Sequence, residues 1–135
     1  MPVLGMGGLF FRARDPQALG DWYRTHLNVG SGCVVDPADT PNEWIWQPQG
    51  GPMVFAPFKA DSDYFAADKA FMLNFRVSDL DSLLADLRAA GIAIITNPEW
   101  DDPMIGRFAR IHDPEGNAIE LWEQPDQRPP QGSES

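Results

Sequence analysis

The chain has 135 residues, enough for one packed domain or for two small modules sharing a core. Hydrophobic residues make up 43% and aromatics 11%, which excludes a disordered chain. Lys and Arg number 10 against 20 Asp and Glu, a net charge of -10 that excludes a basic nucleic-acid face and disfavours an anionic membrane surface.

Cys33 is the one cysteine, so an intrachain disulfide framework and a multi-cysteine metal site are both excluded. It fits a reducing cytoplasm and reads as a small strand residue rather than a nucleophile. No apolar stretch approaches the roughly 20 residues of a membrane helix. Met1 to Phe11 is apolar, but no positive charge precedes it, so it does not read as a signal peptide.

In chain order, Leu9 to Asp15 alternates as a strand and ends at an Asp suited to a helix N-cap. Pro16 then opens a helix with Leu19, Trp22, Tyr23 and Leu27 on one side. Cys33-Val34-Val35 is a short apolar strand. Glu43 to Gln47 leads through Pro48-Gln49-Gly50-Gly51 to Met53-Val54-Phe55, two strands about a tight turn.

The same order then recurs. Leu73 to Asp79 lies over Leu9 to Asp15, with Leu, Phe, Arg and Asp matched. Leu80, Leu83, Leu84 and Leu87 mark a helix closed by Gly91. Ile92 to Ile95 is a short apolar strand. Arg107 to His112 and Ala118 to Trp122 are strands about Asp113-Pro114-Glu115-Gly116-Asn117. The fold class is therefore α+β: two β-α-β-β-β modules, residues 3–58 and 70–123, forming a curved mixed sheet with the helices on its outer face. The concave side is an open cup, overhung by loops at 56–70 and 97–106. Residues 124–135 read as a flexible tail, with three prolines and no large apolar side chain.

Asp113-Pro114-Glu115-Gly116-Asn117 followed by Ile119-Glu120-Leu121 resembles a signature of the vicinal oxygen chelate superfamily, which includes glyoxalase I, extradiol dioxygenases and bleomycin resistance proteins. Phe11 to Asp15 with Trp22-Tyr23 is similar to their opening strand and helix. The resemblance implies a homodimer. It also implies four metal-ligand positions on the cup floor, which fall on Gly8, Val54 or Ala56, Met72 and Glu120. Only Glu120 among them ligates a hard divalent ion, so no metal site and no cofactor are expected.

Glu120 is the candidate catalytic or ligand-orienting carboxylate. By strand parity Phe10, Arg12, Asn74 and Arg76 face the cup, where the arginines suit a ligand carboxylate or Glu120 itself. Trp44 and Trp46 share one strand face, and Phe55, Trp100 and Trp122 extend an aromatic wall. Trp100, with Tyr64 and Phe65, reads as a lid or a partner surface. His112 precedes the turn and His26 ends the first helix, both as surface or structural residues. The expected function is metal-free binding of a small aromatic or cationic molecule. The alternative is a lyase-, isomerase- or dioxygenase-type enzyme in which Glu120 acts with Arg12, Arg76 or His112, with or without a divalent metal. A third reading is an auxiliary interaction module with its cup filled by its own side chains.

Overall fold

The computed structural model describes residues 6–30, 46 and 48–127. The chain divides into two compact units, Met1–Pro48 and Gln49–Ser135.

In the first unit, α1 spans Pro16–Leu27. Asp15 caps it by accepting from the Ala18 N–H at 3.1 Å, and Pro16 fills the first position, where no N–H is required. Asn28 ends it in the left-handed region, with Asn28 N–H donating to the Arg24 carbonyl and Val29 N–H to the Tyr23 carbonyl. Leu19 and Tyr23 are its buried residues. The Tyr23 ring meets Phe11 and Trp22 edge-on.

The strand expected over Leu9 to Asp15 is not formed; residues 6–13 are irregular chain and make no ladder. Alternation allows a strand but does not supply the partner it needs. Cys33 to Val35 and most of Glu43 to Gln47, including Trp44, lie outside the described residues.

In the second unit, β1 is Leu73–Arg76, α2 is Leu80–Ala89, β2 is Arg107–His112 and β3 is Ala118–Glu123. The sheet order is β1-β3-β2, with β1 parallel and β2 antiparallel to β3. Ile95 adds a bridge to the outer side of β2, exchanging both backbone hydrogen bonds with Arg110 at 2.8 Å. Of the strand expected over Ile92 to Ile95, that bridge is what forms. Met53 to Phe55 is also irregular and exposed. Pro52 and Pro57 flank it, and neither supplies a ladder N–H.

Alternation along the sheet sets two faces. Ala109, Ile111, Ile119 and Leu121 lie on one face, and α2, which brings Leu80, Leu84 and Leu87, packs against β3; all seven are buried. Glu123 shares that face and is 2% exposed. Its carboxylate accepts from the Leu80 N–H at 2.7 Å, at the positive end of α2. Asp79 caps the same end through the Ser82 N–H, and Gly91 closes the helix at φ 81°.

The β2–β3 turn explains its own sequence. Asp113 Oδ1 accepts from the Glu115 and Asn117 N–H groups, and Oδ2 accepts from the Asn117 amide. Gly116 takes φ 83°, a conformation costly for other residues. Of the expected tail, Pro125–Gln127 forms a short 3-10 turn and residues 128–135 lie outside the description.

Candidate functional site

The face opposite α2 carries the polar chemistry. Asn74 on β1, Glu120 on β3 and Arg110 on β2 are register partners across it, as are Arg76, Trp122 and Phe108 one pair further along. Three strands thus place six side chains in two rows.

Glu120 is buried, and both its oxygens are engaged. Oε1 accepts from the Asn74 amide at 2.8 Å and Oε2 accepts from the Tyr64 hydroxyl at 2.7 Å. Burial, the hydrogen bond to Glu120 and the charge of that carboxylate together push the Tyr64 phenol up to about 12, against the opposing pull of Arg110. Tyr64 therefore stays protonated and donating through the physiological range.

Arg110 is 8% exposed. Its Nη1 donates to the Tyr64 carbonyl at 2.6 Å. The guanidinium carbon lies 4.4 Å from the Tyr64 ring centre and 5.2 Å from that of Trp100. The two rings meet edge-on at 6.3 Å. Among the described residues, Arg110 Nε and Nη2 are buried with no hydrogen-bond partner. Beside this cluster, Trp122 stacks on Phe108 at 6.0 Å and donates its indole N–H to the Ile105 carbonyl at 2.9 Å.

The expected residues distribute as follows. Glu120, Asn74, Trp100 and Trp122 come to this face or to the loop against it. Arg76 shares the face, but its Nη2 donates to the Gln49 carbonyl at 2.6 Å, so the cation register-paired with Glu120 is Arg110 instead. Phe55 is 80% exposed on irregular chain. In the first unit Phe10 is 90% exposed, and Arg12 and Trp46 are exposed as well. His112 is exposed at the hairpin end. Sequence reasoning missed Arg110. The signal was present: counting out from the turn pairs His112 with Ala118, and hence Arg110 with Glu120. Tyr64, read from the sequence as part of a lid or a partner surface, is instead a hydrogen-bond donor to Glu120.

Around Glu120, the described residues do not present a donor set suited to the divalent metal of the superfamily. Both Glu120 oxygens already accept hydrogen bonds, its flanking partners are an amide and a guanidinium, and a buried cation repels a metal ion. Among the described residues no group of three or more His, Cys, Asp or Glu is placed to hold one. Two hollows, of about 280 and 500 Å³, lie elsewhere, beside Arg88 with Thr96 and beside Asp102 with Pro125. No helix among the described residues is long and apolar enough to cross a membrane.

Residues 8–122 match the family described as the glyoxalase-like domain. The chain belongs to that family. It is thereby a member of the vicinal oxygen chelate superfamily. Among solved structures it is similar to TnmS3, an antibiotic-binding protein from Streptomyces sp. CB03234, at 35% identity over 38% of this chain and 40% of that one, with a TM-score of 0.33. A glyoxalase/bleomycin resistance protein from the same organism matches at 36% identity over 37% and 41%, with a TM-score of 0.31. The chain therefore spans less than half the length of either. The oxidase ChaP-H2 matches at 18% identity over 84% and 87%, with a TM-score of 0.46. No curated protein matches.

Proposed function

We propose that this glyoxalase-like protein binds a small aromatic molecule on the sheet face opposite α2, without a divalent metal. The observation that carries the reading is the state of Glu120. At the position where the resemblance implies a metal ligand, its carboxylate is committed to Tyr64 and Asn74, among the rings of Tyr64, Trp100, Phe108 and Trp122. Such a site offers flat apolar contacts around a small polar centre, the usual composition of a small-molecule site. An aromatic ligand is favoured over a cationic one, because the free hydrogen-bonding capacity belongs to a guanidinium. The two-module cup and the homodimer are part of this proposal. Light scattering on a sizing column tests the dimer.

Tryptophan fluorescence titration with neutral and charged planar aromatics tests the binding claim, with saturable quenching expected. Thermal unfolding of chelator-treated protein with Ni²⁺, Zn²⁺, Mn²⁺ or Fe²⁺ tests the metal claim. A bound metal at a hundred times its Kd adds about 2.7 kcal/mol, a shift of several degrees. A metal shift abolished by Glu120→Gln would replace this reading with the enzyme.

A further inference from the structure

We propose that the aromatic ligand carries a carboxylate, received by the Nε–Nη2 edge of Arg110. This rests on the reading of that face as a small-aromatic site. A guanidinium has one edge on which the Nε–H and one terminal N–H project side by side, at the spacing of the two oxygens of a carboxylate. Nε and Nη2 form that edge in Arg110, and among the described residues they are the two buried side-chain atoms left without a partner. Nη1, on the other side, is already bonded to the Tyr64 carbonyl. Buried charged donors without acceptors are costly and rare, so these two donors point to a paired acceptor supplied by a ligand.

The protein contains its own comparison. Arg107 lies on the same strand, and its Nη1 and Nη2 are both filled by the two Asp81 oxygens at 3.1 and 2.8 Å. The carboxylate paired with Arg110 by register is Glu120, whose oxygens are bound to Tyr64 and Asn74. The Tyr64 and Trp100 rings at 4.4 and 5.2 Å from the guanidinium carbon give the ligand's ring a place to stack beside the ion pair. Tyr64 sits on irregular chain and Trp100 ends a 3-10 turn, Pro98–Trp100; neither is on the sheet, so a shift of those segments exposes the guanidinium while the strands stay fixed.

Calorimetric titration of the full chain with naphthoate and with its neutral amide, naphthamide, tests this. The acid should bind roughly ten- to hundredfold tighter than the amide, the worth of a charged hydrogen-bond pair. Arg110→Lys keeps a positive charge but loses the two-pronged edge, so the acid-to-amide affinity ratio should fall to within a few-fold of one, with near-ultraviolet dichroism confirming the fold. In the wild-type protein, one arginine Nε–H resonance should move on adding acid but not amide, a readout that needs no variant. Equal affinity for acid and amide overturns the carboxylate and leaves the aromatic reading standing. Failure of both to bind overturns the two together.

Discussion

Replacing Tyr64 by Phe removes one oxygen and leaves the ring over Arg110. The lost interaction is an O–H···O⁻ bond of 2.7 Å to a buried carboxylate that keeps one other donor, Asn74. A hydrogen bond to a charged group contributes about 1.5–3 kcal/mol, and Tyr64 is only half-buried, so a loss of about 1–2 kcal/mol is expected. In a chain of this size that lowers the unfolding midpoint by about 3–6 °C. The pH dependence sharpens the test. The native phenol titrates at about 12 and the unfolded one at 10.0, so the native state holds the proton more tightly. Its contribution is full below pH 10 and drains away as pH rises towards 12. Urea unfolding of both proteins at pH 8 and at pH 11 measures this. The stability difference between wild type and Tyr64→Phe should shrink at the higher pH. A Tyr64→Phe protein as stable as wild type at pH 8, or a difference constant with pH, would refute the Tyr64–Glu120 bond as a stabilising contact.

Other consequences are more local. Asp113→Ala removes three acceptor contacts from a buried turn and should cost about 2–4 kcal/mol in denaturant unfolding, with Asp113→Asn recovering part of it. Gly106→Ala places a Cβ against the Glu123 carbonyl and the Trp122 indole nitrogen at φ 136°. It should cost at least about 2 kcal/mol and shift Trp122 emission as the Ile105 bond is disturbed. Asp81→Asn weakens an exposed pair with Arg107, whose protonation that carboxylate favours, and should cost under about 1 kcal/mol, less in high salt.

The parts of the fold legible in the sequence are those whose cause is local. The α1 caps and the leucine stripe of α2 are set by residues within a turn or two. So is the Asp113 to Asn117 turn, where the three bonds accepted by the Asp113 carboxylate span two to four residues. The strands expected in the first half depended on partners that alternation does not name, and Leu9 to Arg12 and Met53 to Phe55 are irregular. In the site, Glu120 was found through its motif. Parity along the opening strands points to Arg12 and Arg76, whereas register across the hairpin points to Arg110. Tyr64 comes from 56 residues away, on a segment with no periodic pattern, so nothing in the sequence pairs it with Glu120.

One pair of strands uses the same two residue types twice, for opposite ends. Arg107 pairs with Glu123 and Arg110 with Glu120 in one antiparallel register. Because the positions within each strand are three apart, alternation sends the two pairs to opposite faces. On the helix side the circuit is closed: Glu123 takes the Leu80 N–H and lies 3.7 Å from Arg107, whose fork is filled by Asp81. Those charges are spent on docking α2. On the other side Glu120 is satisfied by Tyr64 and Asn74, while two of the Arg110 donors find no partner among the described residues. A stability role demands a closed circuit, because an unmet buried donor only costs. The open one is therefore the pair whose completion has to come from outside the sheet.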